Sequence, residues 1–149
     1  MALIIVRGID LSAEVEALPM LTLRGRFDFV HGVNEQTAQY LPVMPPMRGD
    51  IEAEFHTDAA FGGRRPNVNV GTELVARQAR LGPFDVQTAP YALVHLGGGI
   101  EYSLAGRPIT LDVRLRNALI TTYSNFLSRY KKFAYEQGRN LVVRVTMAL

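Results

Sequence analysis

The sequence predicts an all-β protein, an antiparallel meander of seven strands with room for an eighth. Two observations carry this. Six stretches alternate apolar and polar residues with a period of two, and a seventh is more apolar on both faces; two is the period at which strand side chains change face. The connections between them alternate in length, short then long.

The first strand sets Ile9, Leu11, Ala13, Val15 and Ala17 against Asp10, Ser12, Glu14 and Glu16, and Pro19 ends it. The second sets Leu21, Leu23, Gly25, Phe27 and Phe29 against Thr22, Arg24, Arg26 and Asp28. In the third, Ile51, Ala53 and Phe55 alternate with Asp50, Glu52, Glu54 and His56. In the fourth, Val68, Val70 and Thr72 alternate with Asn67, Asn69 and Glu73. The fifth, Tyr91 to Leu104, is more apolar on both faces and contains Gly97-Gly98-Gly99. The sixth sets Ile109, Leu111, Val113 and Leu115 against Thr110, Asp112, Arg114 and Arg116. The seventh sets Leu141, Val143, Val145, Met147 and Leu149 against Val142, Arg144 and Thr146. An eighth would have to come from Tyr123–Tyr135.

Short connections fall at Pro19, Gly62-Gly63 and Ala105-Gly106-Arg107; long ones span Val33–Arg48, Arg80–Pro90 and Ala118–Arg139. Short turns at one end and long loops at the other are the pattern of outer-membrane barrels, and place the C-terminus at the short-turn end.

Alternation alone does not say which face meets what. In a soluble sandwich the apolar face packs inward. In a membrane barrel it meets lipid, and the polar face lines the lumen. Three features favour the membrane: strands of about ten residues fit a bilayer, the charged face is dense and of mixed sign, and Tyr91, Tyr102 and Phe61 fall near strand ends. The sandwich stands as the alternative. On the membrane reading Leu11, Val15, Leu23, Phe27, Leu111, Val113, Val143 and Val145 point away from the barrel axis. Glu14, Glu16, Arg24, Arg26, Glu52, Glu54, Arg114, Arg116 and Arg144 face the lumen. Sequential strands usually pair, so the acids of the first and third strands flank the bases of the second. Opposite charges across a ladder attract by roughly 0.2–1 kcal/mol per pair. The competing reading is a solvated surface with incidental pairs.

Composition excludes several functions. The net charge is +2, the only lysines are Lys131 and Lys132, and no basic stripe suggests nucleic acid. There is no cysteine, which removes disulfide scaffolds and cysteine-based zinc sites. No apolar run reaches the roughly 18–20 residues of a membrane-spanning helix. Leu3-Ile4-Ile5-Val6 is too short for a signal-peptide core and Arg7 interrupts it. His31, His56 and His95 lack ligand-like spacing, so no metal or cofactor is expected. Gly97-Gly98-Gly99 lacks the Gly-Lys-Ser/Thr of a phosphate loop and fits a strand that coils or approaches its neighbour closely. No nucleophile motif is present, and no enzyme is expected.

The C-terminal third carries a resemblance. Arg116-Asn117-Ala118-Leu119, Tyr123, Phe126-Leu127-Ser128-Arg129-Tyr130-Lys131 and Gly138-Arg139-Asn140-Leu141 resemble the closing region of TonB-dependent outer-membrane receptors. Gly8-Ile9-Asp10-Leu11 is similar to a strand opening of that family. Leu41-Pro42, Pro45-Pro46 and Arg48-Gly49 resemble a loop exit, and Thr88 with Tyr91 a strand start. The set runs in order over nearly the whole chain. Two positions depart: Leu149 stands where the family usually ends on an aromatic that its insertion machinery recognises, and Ala89-Pro90 where it often has Pro-Gly.

The resemblance implies the C-terminal part of a transmembrane β-barrel of 22 strands, residues 1–149 being its last third. The family imports ferric siderophores, cobalamin or similar nutrients across the outer membrane. Its partners would be outer-membrane lipid, the remaining strands, and a plug domain through which alone TonB acts. The plug and the TonB box are not expected within these residues, so energised uptake by the chain alone is not expected either. Two alternatives remain: a small stand-alone barrel with a structural or binding role, and a truncated product whose open edges aggregate.

In the segment Tyr123–Tyr135, Phe126, Tyr130, Phe133 and Ala134 have helical spacing. Arg129, Tyr130, Lys131 and Lys132 are candidate ligand or rim contacts, for an anionic ligand or lipopolysaccharide. The plainer reading is an aromatic-anchored loop on the barrel rim.

Overall fold

The computed structural model describes residues 3–147; the expectations placed on Leu149 lie outside them. Its strands are β1 (Ile4–Leu18), β2 (Leu21–Asn34), β3 (Gln39–Tyr40), β4 (Arg48–His56), β5 (Ala59–Ala60), β6 (Gly63–Val75), β7 (Tyr91–Leu104), β8 (Arg107–Arg116) and β9 (Asn140–Met147). The long ones form one sheet in the order β1-β2-β4-β6-β7-β8-β9, and every neighbouring pair is antiparallel. This is the predicted seven-stranded meander. The two-residue strands β3 and β5 are hairpin ends lying on β2 and β6.

The eighth strand does not form. Residues 123–135 hold only turns, because the backbone bonds locally: Phe133 and Ala134 both donate to the Tyr130 carbonyl, at 2.8 and 2.9 Å. The helical spacing of the aromatics likewise yields isolated turns and no helix.

The register explains why alternation was the dominant signal. Leu11 lies opposite Phe27, and Val15 opposite Leu23. Leu23 faces Ala53, Ala53 faces Val70 and Val70 faces Leu96. Leu96 faces Leu115, which faces Leu141. Directly opposed residues share a face, so the apolar positions of seven strands join into one band. A slip by one residue in any pair would send its apolar set to the other face.

Two short connections are tight. Phe61 and Gly62 have φ of 54° and 74°, and Ala105 and Gly106 have 51° and 78°. Positive φ at both central residues is the turn whose twist matches that of a hairpin. Strand β6 is bulged between Arg64 and Asn67, where the register shifts.

No described residue covers the apolar band. Among the described residues the buried hydrophobic side chains are Val75, Leu93 and Phe126, whereas Leu11, Val15, Ile51, Phe55, Val68, Val143 and Val145 are all exposed. A single sheet with its apolar face bare is not a soluble sandwich, whose second layer would bury that face.

Candidate functional site

The opposite face of the sheet is polar. Its centre is Arg24 on β2. The register sets Glu14 beside it on β1 and Glu52 beside it on β4. The guanidinium lies 2.8 Å from Glu14, 3.1 Å from Glu52 and 2.9 Å from Glu54. One arginine therefore joins three carboxylates across three strands, as the acid–base–acid order suggested. Arg26 departs from that expectation: it lies 3.4 Å from Asp10 and 3.5 Å from Asp28. Arg48 adds a second cation to Asp28, at 3.2 Å. Glu16 faces Thr22 and makes no ion pair among the described residues.

On the other half of this face the glycines of β7 let neighbouring side chains lie down over the strand. A Cβ at Gly97 would lie 2.5 Å from the Asn69 amide oxygen, and one at Gly99 would lie 2.8 Å from a carboxylate oxygen of Asp112. Side chains of β6 and β8 occupy the space the glycines leave, as the close-approach reading of the triplet requires. Arg114 and Arg144 flank this floor.

At the long-loop end, residues 41–47 and 76–90 are tied together. The Gln78 side chain is 1% exposed. It donates to the carbonyls of Met44 and Pro45 at 2.6 and 3.1 Å and accepts from the Arg80 N–H at 3.1 Å. Asp85 accepts the Val43 N–H with both oxygens, at 3.2 and 3.0 Å, and the Gly82 N–H at 3.0 Å. The Arg80 guanidinium lies over the Phe29 ring at 4.5 Å.

The third long loop, residues 117–139, is pinned at both ends. Asn117 is buried. It donates its N–H to Nδ1 of His95 at 3.3 Å and exchanges two 2.8 Å bonds with the Thr121 backbone. Phe126, 1% exposed, is the anchor. The Tyr91 and Tyr123 rings are 4.4 Å apart, and burial pushes the Tyr123 phenol above its ordinary value. Beneath this loop lies a cavity of about 330 Å³ whose walls include Glu73, His95, Arg116 and Tyr123.

The candidate rim residues divide. Lys131 is turned onto its own loop, donating to the Phe126 carbonyl at 2.6 Å and lying 4.0 Å from that ring's centre. Arg129, Tyr130 and Lys132 are exposed. At the opposite end the Tyr102 hydroxyl donates to the Phe61 carbonyl at 3.5 Å. The bracing by Gln78 and Asp85 was missed in the sequence; no motif or period marks partners 34 and 42 residues apart.

No family model matches the chain, and no curated protein matches it. Among solved structures, the copper transporter OprC is similar in fold, with a TM-score of 0.80 and 17% identity. The likeness covers 95% of this chain but 23% of that one, so the chain spans under a quarter of the length of the transporter. At this identity the likeness establishes a shared fold alone, an antiparallel meander similar to a part of that structure.

Proposed function

We propose that the chain is the C-terminal barrel wall of a TonB-dependent outer-membrane receptor importing a ferric siderophore or a similar scarce nutrient. The carrying observation is the bare apolar band backed by a polar, ion-paired face. An apolar face without a packed layer is stable in lipid, and the polar face then lines a wet lumen. Glu14, Glu16, Arg24, Arg26, Glu52, Glu54, Arg114, Arg116 and Arg144 are its lumen side. Phe61 and Tyr102 at the short-turn end, with Tyr91 at the loop end, suit the two interfacial girdles. The fold shared with OprC supports the same reading. Energy from TonB would arrive through a plug domain within the barrel, and Arg129, Tyr130 and Lys132 would stand on the extracellular rim.

The test is cell fractionation joined to uptake. The gene encoding this chain is expressed in cells lacking their own receptors, with and without TonB. Uptake of a ferric siderophore, cobalamin and copper is followed. The proposal expects the product in the outer membrane, with protease cutting first within residues 127–136. It also expects any uptake to need TonB and to be lost when the segment is deleted. Recovery in the soluble fraction as a folded monomer would overturn it.

A further inference from the structure

The arginines of the polar face are unequally employed. Arg24, Arg26 and Arg48 are each held by carboxylates within 3.5 Å. Arg114 and Arg144 make no ion pair or hydrogen bond among the described residues. This is not for want of an acid: Asp112 lies directly across from Arg144. Its carboxylate leans instead over Gly99, where a Cβ would meet it at 2.8 Å, and the Asn67 amide nitrogen lies 3.1 Å from the same point. The same hollow thus holds Arg114, Arg144, one carboxylate and the amides of Asn67 and Asn69. Its volume is about 390 Å³, within the size range of small-ligand sites.

We infer that Arg114 and Arg144, set over the glycine floor of β7, form a binding site for a small, multiply charged oxyanion free in solution. Guanidinium groups present paired N–H donors that match carboxylate and phosphate oxygens bidentately, and asparagine amides add neutral donors beside them. A single Asp112 leaves the pair in net cationic excess. The missing Cβ atoms of Gly97 and Gly99 make room for the Asn69 amide and the Asp112 carboxylate, which lie down over β7 and leave the hollow beside the two arginines open. A side chain at either glycine would displace them. Arg116, two residues along β8 toward the loop end, lines this hollow as well and carries the positive surface on into the cavity under residues 117–139. The site depends on the sheet register and not on the membrane reading, so either can fail while the other stands.

The test uses the full chain folded in detergent, with citrate as the probe and calorimetry at low and at physiological salt. Citrate binding is expected, weakened at least tenfold in R114Q/R144Q and partly kept in R114K/R144K. R107Q, which removes an exposed arginine on the short-turn side, should bind as the unaltered chain does. Acetate, with one charge, should not compete. A second measurement needs no variant: citrate should slow phenylglyoxal modification of Arg114 and Arg144 but not of Arg107, read by peptide mapping. Unaltered affinity in R114Q/R144Q, an equal loss in R107Q, or equal protection of all three arginines would overturn the proposal.

Discussion

The amide of Gln78 donates to the carbonyl of Met44 at 2.6 Å, fastening two long loops that share no strand pairing. A buried carbonyl left without a donor costs about 1–3 kcal/mol. Gln78→Ala should therefore loosen residues 41–47 and 76–90 together while sparing the sheet. Hydrogen exchange should quicken at the Val43 and Gly82 amides and stay unchanged in β4 and β6.

Removing the cation from the three-carboxylate cluster leaves Glu14, Glu52 and Glu54 close together on one face. Arg24 is partly exposed, so the loss is moderate. Arg24→Gln should destabilise by about 1–2 kcal/mol at low salt. The difference should shrink as salt screens the repulsion. Denaturant unfolding at two ionic strengths checks both statements. Arg26→Gln should cost less, since its carboxylate contacts are longer, at 3.4 and 3.5 Å.

The two faces should answer a charge differently in lipid. Val113 lies mid-strand in the apolar band between Gly98 and Val143. Val113→Arg should cost about 2–4 kcal/mol of folding stability in a bilayer. Thr110→Arg, on the polar face, should cost less than about 1 kcal/mol. Folding yields into vesicles of both variants decide this, and equal yields would contradict the lipid-facing assignment.

The β7–β8 turn offers a stabilising change. Ala105 adopts φ of 51°, where an ordinary L-residue is strained by about 1–2 kcal/mol. Asparagine tolerates this region and is favoured before glycine in such turns. Ala105→Asn should gain roughly 0.5–1 kcal/mol, and Gly106→Val should lose at least as much. Equilibrium unfolding of the pair measures it.

The sheet was legible in the sequence because its stabilising pattern is local and repetitive. Tyr91–Leu104 was read with the bounds it has, since Pro90 and the turn at Ala105-Gly106 bracket it. The alternation places the start of β1 too late: Ile4-Ile5-Val6 is apolar on successive positions and Arg7 follows, so only the pairing of Ile4–Gly8 with Val30–Asn34 makes it strand. The acid–base–acid order foretold Glu14, Arg24, Glu52 and Glu54. It could not foretell that Arg26 would turn to Asp10 and Asp28, because that depends on register. Loop structure was illegible for a different reason. Gln78, Asp85 and Asn117 act through single backbone atoms, which leave no pattern of side-chain types. In residues 123–135 the aromatic spacing misdirected, because Phe126 is an anchor and its neighbours are not a stripe.

The number of long strands in the sheet sets an arithmetic constraint on any closed wall that contains it. Six antiparallel steps separate β1 from β9, so these two edges run the same way. Joining them directly, or placing upright copies side by side, would bring β9 against β1 as a parallel seam. In a bilayer each edge would leave backbone groups that lipid cannot satisfy. An all-antiparallel wall containing this sheet must therefore add an odd number of strands, giving the even total usual in single-chain outer-membrane barrels. Copies of the sheet alone, all the same way up, contribute seven at a time and never remove the parallel joint.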